Sequence, residues 1–201
     1  MRKYLLVVLF SSGLSAAGQT FSDSLKTYRE QYKQDFLDDE RSPIKEKENL
    51  QFIQFFNADE VYRITANFMK TEEAKPFEMA TMNGKTKTYV EYGTFSFSLH
   101  EKNLKLKIYQ SIALMNNPEY KDHLFLPFTD LTNGEESYTG GRYIDLMMQD
   151  IRDNKFVIDF NKAYNPYCAY SSGYACPKPP EENNLPVKIL AGEKKYAKAG
   201  H

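Results

Sequence analysis

The chain has 201 residues, with 26 basic and 27 acidic side chains, a formal net charge of −1, no tryptophan, 15 tyrosines and 14 phenylalanines. A balance this close to neutral, without a basic stripe, argues against nucleic acid as a partner. No apolar run reaches the about 20 residues that a membrane-spanning helix needs. The wealth of phenylalanine and tyrosine suits a β-rich protein, and the length suits one domain able to bury a core.

In chain order, MRKYLLVVLFSSGLSAAGQ has the form of a secretory signal peptide over residues 1–17. Arg2 and Lys3 supply the positive end, Tyr4 to Phe10 with Leu14 the apolar core, and Ser15-Ala16-Ala17 the small residues before a cut after Ala17, or after Gly18. The segment carries no cysteine to accept a lipid. An exported protein, periplasmic or secreted and without a membrane span, is therefore expected. Removal of this leader leaves 24 basic against 27 acidic residues, a net charge of −3.

Residues 22–40 place Leu25, Tyr28, Tyr32, Phe36 and Leu37 at helical spacing, with Ser22 as the expected N-cap and Ser42-Pro43 as the stop. From residue 50 the period changes to two. Val61 to Lys70 puts Tyr62, Ile64, Ala66 and Phe68 on one face. Asn83-Gly84 predicts a hairpin between Phe77–Met82 and Thr86–Glu91. Gly93 predicts a bulge, Phe95 to Leu99 alternates, and a turn at Lys102-Asn103 leads to Leu104, Leu106 and Ile108. His123–Pro127, Tyr143–Met148, Phe156–Phe160 and Val187–Leu190 continue as short strands. Nine or ten strands after one amphipathic helix predict an all-β or mainly β protein. The expected form is an antiparallel β-barrel or barrel-like sandwich, one domain over 50–196 with a tail at 197–201.

Three blocks of the carboxyl half are long and unusual: LFLPFTDLTNGEESYTGGRYIDL (124–146), DFNKAYNPYCAYSSGYACPKPPEENNLPV (159–187) and AGEKKY (191–196). With YRITANF at 62–68, they resemble the prokaryotic domain-of-unknown-function family 1684 over about residues 25–196. The resemblance places Asp130, Thr132, Arg142, Asp145, Tyr164, Asn165 and Tyr170 on family motifs. It implies membership of a family, with no activity and no cofactor attached.

Cys168 and Cys176 are the only cysteines, and in an exported chain their spacing predicts a disulfide closing CAYSSGYAC, worth roughly 2.5 kcal/mol in chain entropy. His100, His123 and His201 have no metal-ligand spacing, so no metal is expected. Arg142 follows Gly140-Gly141. It is expected either to hold an anionic group of a ligand or to pair with Glu136, Asp145 or Asp159. Glu136 and Asp159 are candidates for acid–base work. Tyr138, Arg142, Asn161, Tyr164, Asn165 and Tyr170 are candidates for ligand contact in a region also crowded by Tyr143, Tyr167 and Tyr174, since tyrosine pairs an apolar ring with a polar tip; the same side chains would equally serve an irregular loop with buried polar backbone. Three functions follow as expectations: a module binding a small ligand or envelope component; a hydrolase-like enzyme built on Glu136, Arg142, Asp159 and Asn165; or a structural protein without a ligand.

Overall fold

The computed structural model describes residues 20–198; the expected leader lies outside them. Helix α1, Phe21–Asp38, starts two residues earlier than the Ser22 cap predicts. Thr20 is the N-cap: its hydroxyl oxygen accepts from the Asp23 N–H at 3.1 Å and the hydroxyl donates to the Asp23 carboxylate at 2.6 Å. This reciprocal pair satisfies two groups at the helix end, which a lone Ser22 could not match.

Seven strands follow: β1 (Arg63–Lys70), β2 (Phe77–Ala80), β3 (Thr86–Leu99), β4 (Lys102–Ser111), β5 (His123–Phe128), β6 (Arg142–Met147) and β7 (Lys155–Asp159), with a one-turn helix α2 (Ile112–Met115) after β4. They form one antiparallel sheet in the order β6-β5-β4-β3-β1-β7, with β2 added on β3. The Asn83-Gly84 hairpin is present, with Gly84 at φ +80°, and the β3–β4 register shifts between Glu91 and Gly93 as a bulge requires. The next turn sits at His100-Glu101, not at Lys102-Asn103. Both residues take the left-handed conformation (φ +49° and +61°), so Leu99 pairs with Lys102 across a two-residue hairpin.

The sheet curls into a half-barrel. Its first and last strands, β6 and β7, are drawn together by the chain that leaves β7. After a 3₁₀ turn at Phe160–Lys162, Tyr164 exchanges two backbone hydrogen bonds with Tyr143 on β6, at 2.9 and 3.0 Å. This bridge covers the start of the β6 edge, while further along β6 and β7 line a common cavity.

The inner face carries the main core. Leu104, Leu106 and Ile108 of β4, Leu124, Leu126 and Phe128 of β5, and Ile144 and Leu146 of β6 pack with Phe95 and Phe97. By strand alternation the opposite face carries Tyr109, Phe125 and Tyr143 with Tyr89 and Met79. Asp145 shares that outer face with Tyr143. A third cluster joins Phe36 of α1 to Ile44, Ile53, Ala169 and Tyr170, and fastens the helix beside the loop after β7.

The expected strand at Val187–Leu190 is not one. Its alternation is real, with Val187 and Ile189 buried, but backbone pairing stops at Val187, whose carbonyl accepts from the Leu131 N–H at 3.0 Å, and Ile189 meets side chains instead. The Ile189 N–H donates to the Asp130 carboxylate at 3.1 Å. This accounts for part of the shortfall from nine or ten strands to seven.

Candidate functional site

The glycine pair ahead of Arg142 permits a close approach. Gly141 has φ +89°, and a Cβ there would lie 2.6 Å from the Phe128 carbonyl oxygen. Arg142 itself is fully buried. One Nη donates to Asp130 at 2.8 Å and to the Ile189 carbonyl at 2.9 Å; the other donates to the carbonyls of Ala191 (2.5 Å) and Glu193 (3.2 Å). Its partner is thus Asp130, not Glu136, Asp145 or Asp159. The reason is register: Phe128 pairs with Arg142 across β5 and β6, which sets Asp130 beside the guanidinium.

The other expected site residues are dispersed. Glu136 lies at the surface, where the Lys188 ammonium at 2.9 Å lowers its pKa. Asp159 caps the 3₁₀ turn by accepting from the Asn161 N–H at 3.1 Å and from the Asn161 amide at 3.0 Å. Asn161 is fully buried and exchanges two hydrogen bonds with the Asp59 backbone, at 3.0 and 2.9 Å. Tyr138 donates to the Cys168 carbonyl at 3.3 Å. The buried Asn165 donates its backbone N–H to Glu193 at 2.9 Å and its amide to the Lys194 carbonyl at 2.8 Å.

Cys168 and Cys176 are free thiols, which corrects the expected disulfide. The 3₁₀ turn at Tyr167–Ala169 aims the Cys168 backbone N–H at the Cys176 sulfur (3.2 Å), while the Cys168 thiol donates to the Tyr174 carbonyl (3.1 Å). The two sulfurs are not at bonding distance. Burial, followed by the hydrogen bond with the Cys168 thiol, pushes the Cys176 thiol up to about 12, which leaves it protonated and unreactive at neutral pH.

What the fold does assemble is a groove of about 760 Å³ between α1, β6 and the loop after β7. Six tyrosines line it: Tyr28 and Tyr32 from α1, Tyr143 from β6, and Tyr164, Tyr167 and Tyr174 from the loop. Asp35, Asp39 and Asp145 add carboxylates, and Arg41 and Lys87 add cations. Asp145 accepts from the Tyr164 hydroxyl at 2.5 Å and lies 3.0 Å from His123 Nε2. A second cavity of about 550 Å³ shares Tyr28, Asp145 and Tyr164 with the first. Of the expected contact residues Tyr164 lines the groove, together with Tyr143, Tyr167 and Tyr174 of the same tyrosine-rich region, while Tyr138, Arg142, Asn161, Asn165 and Tyr170 do not. The contribution of α1 was open to sequence reading, because Tyr28, Tyr32, Asp35 and Asp39 recur at helical spacing along one stripe.

Behind Tyr32 lies Glu193, fully buried and missed by sequence reasoning. Gly192, at φ +78°, sets the chain so close to Phe160 and Ala163 that a Cβ would lie 2.6 Å from either carbonyl oxygen. Glu193 accepts from Tyr170 (2.5 Å), Tyr32 (2.9 Å) and the Asn165 N–H (2.9 Å), and no lysine or arginine pairs with its carboxylate among the described residues. Desolvation outweighs these hydrogen bonds and pushes its pKa up to about 7.

The class of protein is a small half-barrel with a tyrosine-walled groove under its N-terminal helix. A family model for proteins of unknown function, DUF1684, matches residues 48–194, and the chain belongs to that family. It is similar to an uncharacterised protein of Haloarcula marismortui solved by solution NMR, at 33% identity over 89% of this chain and 95% of that one, with a TM-score of 0.66. No curated protein matches it.

Glu193 makes stability depend on pH. Its carboxyl holds a proton more tightly in the folded chain (about 7) than at its ordinary value of 4.5. Stability is therefore highest below that window and falls as pH rises through it, by about 3 kcal/mol in total. Glu193→Gln, neutral and of the same shape, should abolish that fall and raise the urea midpoint above wild type at about pH 8. A midpoint below wild type at that pH would contradict the assignment.

Proposed function

We propose that this protein is an exported module that binds a small ligand in the groove between α1, β6 and the loop after β7. The observation that carries this reading is the groove itself. Its size falls within the range of about 300–1,000 Å³ usual for small-molecule sites, and its walls are aromatic rings with a few polar groups. The four residues of the hydrolase-like alternative do not support that alternative in the same way. Arg142 and Asn165 are buried in structural hydrogen bonds, Glu136 pairs with Lys188, and Asp159 lines the second cavity without the other three. Export rests on the leader-like residues 1–17, and an envelope component is one source of such a ligand.

Two measurements test this reading. Titration of isotopically labelled protein with 2-phenylethanol, a neutral aromatic probe, should shift the amide signals of residues 143–145, 164, 165, 167 and 174–176 together and saturably. Scattered or absent shifts would count against the groove. Mass spectrometry of the protein from its native cell should find an N-terminus at Gly18 or Gln19 in the exported fraction; a retained Met1 would overturn export.

A further inference from the structure

The groove's hydrogen-bonding capacity is one-sided. Each of its six tyrosine hydroxyls already donates to the protein. Tyr28 donates to the Lys162 carbonyl (3.5 Å), Tyr32 to Glu193 (2.9 Å), Tyr143 to the Pro177 carbonyl, Tyr164 to Asp145 (2.5 Å), Tyr167 to Asp39 (2.7 Å) and Tyr174 to the Arg41 carbonyl (2.8 Å). Apart from the Arg41 and Lys87 side chains, a ligand thus meets ring faces, phenolic lone pairs and carboxylate oxygens, which favour a partner that donates or carries positive charge.

The charges point the same way. Asp39 is met by Arg41, whose side chain is 87% exposed, at 3.4 Å. Asp35 accepts only from the neutral Gln31 amide, at 2.8 Å, and Asp145 from Tyr164 and His123; no lysine or arginine pairs with either among the described residues. Lys87 lies on the exposed part of β3. Around Tyr28, where the two cavities meet, carboxylates gather, with Arg152 and Lys162 as the cations of the second cavity. After burial, Asp145, Asp159, Asp35 and Glu193 together push the Tyr28 phenol up to about 12. The chain uses the same chemistry internally, since the Lys162 ammonium of the second cavity lies 5.0 Å from the Tyr28 ring centroid.

Resting on the binding reading above, we infer that the groove takes a small organic cation: an ammonium group on a compact apolar or aromatic body, seated against the tyrosine rings with Asp145 as its counter-charge. Asp145 suits that role because it is half exposed, is fixed from both sides, and opens on both cavities.

The test compares three probes of one shape by NMR titration of the whole protein: phenethylammonium, 2-phenylethanol and phenylacetate. Phenethylammonium should bind at least about ten-fold more tightly than the neutral probe, with saturable shifts at residues 28, 143–145 and 164, and phenylacetate more weakly than either. One molar salt should weaken the ammonium alone. Asp145→Asn, which keeps an acceptor for Tyr164, should lower ammonium affinity about ten-fold and 2-phenylethanol affinity by much less. If that variant does not fold, Asp35→Asn and the salt series on wild type carry the same comparison. Equal binding of the neutral probe, or tighter binding of phenylacetate, would overturn the cation inference while leaving the groove as a site. Absence of saturable shifts with all three would overturn both.

Discussion

The structure depends on the buried guanidinium of Arg142. It stands at the first residue of β6, between the rings of Phe128 and Phe56, and reaches one carboxylate and three carbonyls. Asp130 completes the arrangement, because its other oxygen accepts from the Thr132 N–H, the Thr132 hydroxyl and the Ile189 N–H, at 2.9, 2.7 and 3.1 Å. A fully desolvated pair of this kind adds little stability over an apolar pair, but it permits one arrangement of the chain and penalises the others. Here it specifies where the irregular C-terminal segment lies. That segment supplies Leu185, Val187, Ile189 and Ala191 to the main core; it is held to residues 129–131 by three backbone hydrogen bonds and beyond them by Asp130 and Arg142, and it closes the half-barrel.

The groove inherits its shape from this arrangement. With Ala191 and the Glu193 carbonyl held by Arg142, the Glu193 side chain is delivered to Tyr32 and Tyr170, and through Tyr32 to helix α1. Phe36 packs edge-on against Tyr170 at 5.0 Å between ring centroids, which fixes the same helix from a neighbouring turn. The groove lies between that helix and the outer face of β6. Arg142 thus positions the groove without lining it, and Glu193 conveys that position across the core. Tyr32, Tyr143, Tyr164, Tyr167 and Tyr174 are held at both ends, by edge-to-face packing and by their hydrogen-bonded hydroxyls, and Tyr28 by the Lys162 ammonium over its ring.

Sequence periodicity made most of the sheet legible. The alternation in β1, β3 and β4 assigned Ala66, Phe95, Phe97, Leu104, Leu106 and Ile108 to one face, and all are buried. Asn83-Gly84 and Gly93 marked the first hairpin and the bulge, because those conformations favour specific residue types. His100-Glu101 escaped because neither residue advertises a left-handed turn. Val187–Leu190 misled because its alternation reflects burial, while its backbone ladder ends at Val187 and the Ile189 N–H turns to a carboxylate 59 residues away in sequence. The candidate site was less legible for the same reason. Tyr32 meets Glu193 across 161 residues, a pairing that no local spacing encodes. Within the dense motif after β7, Asn161, Asn165 and Tyr170 satisfy the polar groups of a buried loop, whereas Tyr164, Tyr167 and Tyr174 of the same segment line the groove.

The central claim is that Arg142 is the fastening on which the C-terminal segment and the groove rely. Equilibrium urea unfolding of Arg142→Ala tests it most directly. Loss of the guanidinium leaves a buried carboxylate without its cation and three carbonyls without that donor, so stability should fall by about 3–5 kcal/mol. Arg142→Lys should recover only part of the loss, because a single ammonium cannot reach both sides of the planar fork. An unfolding midpoint in Arg142→Ala equal to that of wild type would contradict the account.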